Sequence, residues 1–219
     1  MQPGTQEAEF LRDIAKHQIN VIRDDGLYRH IRFSRPNSMC MHFDLITWPG
    51  YLCYCGDMGT YVFTRLADMF EFFRTDRRDD DKLRINLSYW SEKLLAVDGS
   101  RRSGSAMEFS YDRFERVVKE QLVEWWRDHC TDAAQRRELR EQVEEALLGT
   151  GYFSERPETT GDAIRMANDF EAEVAGKKFQ FQDFWDHSLE GYTHRFTWCC
   201  YALAWGIQQY DLAKEPVAA

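Results

Sequence analysis

The sequence predicts an α+β fold: an N-terminal helix, a small antiparallel β-meander over about residues 27–65, and a mainly helical part over about 66–213 packed on it. Three observations carry this. Apolar and polar residues alternate through 27–65, with turn residues at short intervals. Beyond residue 66 the apolar residues recur at helical spacing. The composition, 43% hydrophobic and 15% aromatic, supplies enough apolar bulk for a core without metals or disulfides. One domain over 1–219 is expected, with a mobile loop at 98–105, rich in Gly, Ser and Arg, as its one weak point.

Residues 7–21 read as an amphipathic helix, with Phe10, Leu11, Ile14, Gln18 and Val21 on one face and Thr5 as its cap. Asp24-Asp25-Gly26 stops it, Gly26 being suited to the left-handed position that ends helices. Period two then takes over: Leu27, Ile31 and Phe33 alternate with Tyr28, His30 and Arg32. Arg35-Pro36-Asn37-Ser38 supplies a turn, 39–48 a second strand, Pro49-Gly50 a two-residue turn and 51–55 a third strand. Gly56-Asp57-Met58-Gly59 turns the chain into a fourth strand at 60–64.

Leu66, Met69, Phe70 and Phe73 then mark a short helical stripe, and residues 75–82 a charged loop. Asn86 or Ser88 caps a helix running to about Val97. Ser110 caps the clearest helix, through Phe114, Val117, Val118, Leu122, Trp125 and Trp126. Thr131 starts another that ends at Gly149, and Thr160 a third through Ile164 and Phe170. Phe179-Gln180-Phe181 has the alternation of an edge strand. Residues 193–211 form a final helix, apolar on most faces and therefore expected at the centre of the core.

The net charge is −9 with a sequence pI of about 5.2, which argues against holding nucleic acid by phosphate neutralisation. Residues 1–10 are polar and acidic, unlike a secretory leader, and no uncharged apolar run reaches the ~18–20 residues of a membrane span. A reducing, cytoplasmic setting with free thiols is expected for the six cysteines, Cys40, Cys53, Cys55, Cys130, Cys199 and Cys200. No dinucleotide-binding, Walker, nucleophile-elbow or zinc-protease motif is present, so no cofactor is expected. Gly56-Asp57 superficially resembles the Gly-Asp of metallophosphoesterases, but the accompanying Asp-x-His and Gly-Asn-His are missing.

The hairpin permits a register argument. A two-residue turn at Pro49-Gly50 sets Trp48 opposite Tyr51, Ile46 opposite Cys53 and Asp44 opposite Cys55. Alternation then places Cys40, His42, Asp44, Ile46 and Trp48 on one face with Tyr51, Cys53 and Cys55. His42, Asp44 and Cys55 are the candidate catalytic set, a thiolate with an imidazole base oriented by a carboxylate. His42, Cys53 and Cys55 are the candidate zinc ligands, although one residue between the cysteines is fewer than zinc sites use, so no metal is expected. Against both stands the simpler reading of thiols as small core residues. Asp186, His187, Glu190 and His194 form a second polar group that more simply caps and solvates the start of the last helix.

Candidate partner-binding residues are acidic: Asp57 in its turn, and Glu138, Glu141 and Glu145, at i, i+3 and i+7 on one helix face. Arg136, Arg137 and Arg140 interleave with them and blunt the array.

The run Thr47-Trp48-Pro49-Gly50, then Gly56-Asp57-Met58-Gly59-Thr60-Tyr61-Val62-Phe63, then Asp68-Met69-Phe70-Glu71-Phe72-Phe73-Arg74, resembles a pattern in uncharacterised bacteriophage and prophage proteins. The resemblance covers about residues 40–75, more weakly the stretches around Tyr89-Trp90 and 198–210, and carries no assigned activity. It implies a bacterial host cytoplasm and an accessory role. The leading expectation is a non-enzymatic protein that binds a host protein or nucleoprotein complex, as an inhibitor of a defence system or a nucleic-acid mimic. It is expected to bind neither nucleic acid directly nor membranes. The alternative is a small enzyme using the His42, Asp44 and Cys55 face, with or without zinc; a homo-oligomeric assembly role is the third.

Overall fold

In the structure, a computed structural model, residues 3–78, 82–98, 106–149 and 155–215 are described; most of the loop expected at 98–105 lies outside them. The chain runs α1 (Pro3–Ile14), β1 (Gln18–Asp25), β2 (Tyr28–Ser34), β3 (Phe43–Trp48), β4 (Tyr51–Gly56), β5 (Gly59–Thr64), α2 (Met69–Arg74), α3 (Leu87–Ser91) and β6 (Leu94–Val97). It continues through β7 (Met107–Phe109), α4 (Tyr111–His129), α5 (Ala133–Ala146), α6 (Thr160–Asp169), β8 (Glu171–Val174), β9 (Lys177–Gln180) and β10 (Glu190–Tyr192) to α7 (His194–Lys214). The fold is α+β. It divides into two compact units, one of Met1–Ala106 with Tyr192–Ala219 and one of Met107–Gly191. Among the described residues no helix is long and apolar enough to cross a membrane.

In the first unit the six strands form one antiparallel sheet in sequence order. It is wider than the meander read from the sequence, because both edges were read as helix. The first helix stops at Ile14, where His17 N–H bonds back to the Ile14 carbonyl at 2.8 Å, and residues 18–25 become β1. The β-branched Ile19, Val21 and Ile22 prefer the pleated surface to a helical turn. Gly26, at φ +59, closes the β1–β2 hairpin instead of capping a helix. At the other edge α3 is capped by Asn86, whose side chain accepts from Tyr89 N–H. It ends at Ser91, and Leu94–Val97 extends to pair with β5. An open edge of β5 outweighs local helix propensity there.

Alternation sends Ile31, Phe33, Phe43, Leu45, Leu52, Tyr54, Tyr61 and Phe63 to one face, where all are buried. α7 lies on this inner face, as its all-round apolar character predicts, with eleven of its 21 residues buried. Phe33 stacks on Phe43 at 4.7 Å; Trp205 meets Phe33 at 5.4 Å, and Trp198 meets Phe43 at 5.8 Å. Gly206 sits where a Cβ would lie 3.1 Å from both Leu45 Cδ1 and Phe33 Cε2. Ion pairs tie the ends of this layer. Arg29 grips Asp68 with two bonds of 2.8 Å, Arg74 and Arg77 converge on Asp211, and Tyr210 donates to Asp24 at 2.9 Å.

The second unit packs α4, α5 and α6 with the β8–β9 hairpin around Phe114, Val118, Leu122, Leu139, Val143, Ala163, Phe179 and Phe184. β7 pairs with β10. Ser110 caps α4 as predicted, while the other caps fall one residue from those read: Asp132 accepts from Gln135 N–H, and Thr159 from Asp162 N–H. The strand expected at 179–181 is β9, which ends at Gln180.

Two substitutions test the packing. Gly206→Ala should change stability little, because a gain of about 1 kcal/mol in helix propensity offsets the tight contact. Gly206→Val should cost about 1–3 kcal/mol in chemical denaturation, its branches having no space against Leu45 and Phe33. The Tyr54 hydroxyl is buried with no hydrogen-bond partner, so Tyr54→Phe should leave the melting temperature unchanged or raise it.

Candidate functional site

The β3–β4 hairpin has the register that its turn dictates: Trp48 pairs with Tyr51, Ile46 with Cys53, and Asp44 with Cys55. Pro49 sets the first turn position and Gly50, at φ +87, takes the left-handed second one. Since Leu45 and Tyr54 face α7, the alternate residues Asp44, Ile46, Trp48, Tyr51, Cys53 and Cys55 occupy the outer face. The neighbouring strands extend this face. One row across it reads Asn20, Arg32, Asp44, Cys55, Thr60, and the next Arg23, His30, Ile46, Cys53, Val62, Ala96.

The outer face is half-exposed, with Trp48 36% and Tyr28 46% accessible, but Asp44 within it is only 4% accessible. Two side chains from β2 close over its carboxylate. Arg32 donates from Nε at 2.8 Å and from Nη2 at 2.9 Å, and His30 Nε2 lies 2.7 Å from Oδ2. Burial pushes the Asp44 carboxyl up, and the bonds from Arg32 and His30 more than offset it, holding it below the usual carboxylate range. Beside it the Cys53 thiol donates to the Tyr54 carbonyl at 3.7 Å. The influence of each thiol on its neighbour, with burial, raises Cys53, and it holds Cys55 below the ordinary thiol range, Arg32 assisting and burial and Asp44 opposing.

His42 does not join this group. The strand read over 39–48 begins only at Phe43, and residues 39–42 form a turn with Met41 at φ +60. In that turn the His42 ring donates from Nδ1 to the Met39 carbonyl at 2.6 Å. Cys40, exposed, lies in the same turn and not on the strand. The imidazole beside Asp44 is therefore His30. Asp57 is the turn's clamp: its Oδ2 accepts from Met41 N–H at 2.6 Å, and its Oδ1 lies 3.3 Å from His42 Nδ1. Gly56 completes the junction, since a Cβ there would fall 2.2 Å from the His42 carbonyl oxygen. Asp57 thus supports the turn, while its side chain remains 42% exposed.

This arrangement has consequences for chemistry. An imidazole that activates a thiol must lie between the thiol and its orienting carboxylate. Here the register puts the carboxylate of Asp44 between Cys55 and the Arg32–His30 side, so the expected nucleophile–base–acid order is not formed. Zinc fares no better: among the described residues no three His, Cys, Asp or Glu side chains converge to hold a metal ion. Asp186, His187, Glu190 and His194 form no such set either, and His187 Nε2 lies 3.1 Å from Gln121 Nε2. Cys199 and Cys200 are fully buried in α7 and their thiols are pushed well up by burial.

Glu138, Glu141 and Glu145 are exposed on α5, with Leu139 and Val143 buried on its opposite side. Arg140 pairs with Glu144 at 2.6 Å. By segment the charge is unevenly divided. Residues 107–191 hold twenty acidic and eleven basic residues, a net −9 equal to that of the whole chain, whereas the rest holds seventeen of each.

Because the Asp44 carboxyl is depressed in the folded state, its stabilisation is present above the unfolded carboxylate pKa of about 3.9 and is lost as pH falls through the lower folded value. Asp24, Asp68 and Asp211 are depressed in the same way. Thermal stability should therefore drop below about pH 4, and Asp44→Asn should be less stable at pH 7 by roughly 1–3 kcal/mol with a shallower acid decline. No family model matches the chain, and no match to it is found among curated proteins or among solved structures.

Proposed function

We propose that the protein acts by binding, through its acidic unit, a host protein or nucleoprotein complex with a basic surface, as a phage-type accessory protein that inhibits a bacterial defence or nucleic-acid-handling system. The division of charge carries this reading. A net −9 carried by one unit, while the other is neutral, is a field that steers a basic partner to that unit. The exposed glutamates of α5, with Glu155, Glu158, Asp162, Asp169, Glu171 and Glu173 following in sequence, provide its densest stretch. The resemblance of residues 40–75 to phage proteins supplies the host context. Among the described residues no thiol–imidazole–carboxylate set is ordered, which favours binding over the enzymatic alternative.

A tagged protein exposed to bacterial lysate at low salt should retain a basic partner, released as the salt rises toward about 0.5 M. Reversing Glu138, Glu141 and Glu145 to Lys should weaken retention about tenfold or more, while Cys55→Ala and His42→Ala should not. A retained nucleoprotein partner should carry less nucleic acid than the same complex purified alone. No retained partner, or retention indifferent to both salt and charge reversal, would contradict the proposal.

A further inference from the structure

The outer face of the sheet carries a second polar group at its β1 edge. The β1–β2 register sets Asn20 beside Arg32 and Gln18 beside Ser34. Ile31 and Phe33 are buried on the inner face, so these four alternate residues share the outer one. Past Ser34 the chain turns back. Pro36 sets the first central position of the turn, Asn37 takes φ +59 at the second, and Ser38 N–H donates to the Arg35 carbonyl at 3.3 Å. The turn and the strand ends border a cleft of about 670 Å³, whose lining includes Gln18, Asn20, Arg32, Arg35, Asn37 and Ser38.

We propose that this cleft binds a small phosphate monoester, its phosphate held by the Arg35 guanidinium with Arg32 assisting. The lining carries the argument. In a chain of net charge −9, none of the described residues that line the cleft is Asp or Glu, and two are arginines. Arg35 is half-buried, and its Nε is buried without an acceptor, so the fold brings its cation to the cleft without matching it. Arg32 spends Nε and Nη2 on Asp44, which leaves Nη1 uncommitted to that carboxylate. Ser38 Oγ accepts from Cys40 N–H at 3.1 Å, so its own proton is left to donate. A donor-rich lining with guanidinium forks selects an oxyanion. A phosphate monoester offers three terminal oxygens and a charge of about −1.5 to −2 at pH 7, more than the single charge of a carboxylate. The amides of Gln18, Asn20 and Asn37 remain for hydroxyl groups on the organic part. The volume leaves room for that part, since small-molecule sites run to roughly 300–1,000 Å³. The cleft lies in the neutral unit, so this site is separate from the acidic surface proposed to meet a basic partner.

The test is a calorimetric titration of the full-length protein at low ionic strength with ribose 5-phosphate, with ribose and with inorganic phosphate. One equivalent of ribose 5-phosphate should bind with a Kd below about 1 mM and be displaced by excess inorganic phosphate, while ribose gives no heat of binding. Arg35→Ala should weaken binding about tenfold or more, and Arg35→Lys, which keeps the charge without the fork, by less. Asn20→Asp, which puts a carboxylate on the floor of the cleft, should weaken it independently. Lys119→Ala, which removes a cation elsewhere, should leave binding unchanged. A single-stranded oligonucleotide without terminal phosphates should not bind. The proposal is overturned if ribose 5-phosphate shows no saturable binding, or if Arg35→Ala and Asn20→Asp bind it as the unaltered protein does. It is equally overturned if the oligonucleotide binds as tightly as the monoester, which would make the cleft a nucleic-acid surface.

Discussion

The contact of α7 with the inner face of the sheet is the interaction on which the first unit depends. The helix comes from the far end of the chain and brings Phe196, Leu203 and Ile207 to a sheet whose own inner residues are Phe33, Phe43, Leu45 and Phe63. Each such side chain contributes about 1.5–3 kcal/mol when removed from water. The close approach needs a small residue at Gly206, because a branched side chain there meets Leu45 and Phe33 at once. The remaining helices of the unit pack around α7, and the ion pairs of Arg29, Arg74 and Arg77 pin the rim.

That contact also explains the outer face. With period-two side chains, committing one face to α7 commits every alternate residue to the other side. Asp44, Cys53 and Cys55 are therefore displayed as a consequence of where Leu45 and Tyr54 must go. A carboxylate there would ordinarily stay solvated. Arg32 and His30 instead fold over it and satisfy both of its oxygens.

Much of this was legible in the sequence. The Trp48-Pro49-Gly50-Tyr51 turn set the hairpin register, Ser110 marked the start of α4, and the uniform apolarity of residues 196–210 marked the buried helix. What was missed depended on partners far along the chain. Residues 18–25 carry both a helical and a strand pattern, and only pairing with β2 decides between them. Leu94–Val97 reads as the end of a helix until the free edge of β5 is present. His30 was overlooked because a two-residue turn transmits register and the eight-residue connection from Ser34 to Phe43 does not. The turn at 39–42 then took His42 and Cys40 off the strand. The segregation of charge could have been counted from sequence alone, but it acquires meaning only once residues 107–191 are seen to pack as one unit.

If α7 is what closes the first unit, the helix and the central strands must open together, since neither has another surface on which to bury its apolar face. Native-state hydrogen exchange tests this most directly. The account predicts that amides of α7 around Leu203 and Ile207 and those of β3, β4 and β5 share one opening free energy and the same denaturant dependence. Exchange of the α7 amides through a separate, lower-energy opening while the strands stay protected would contradict it.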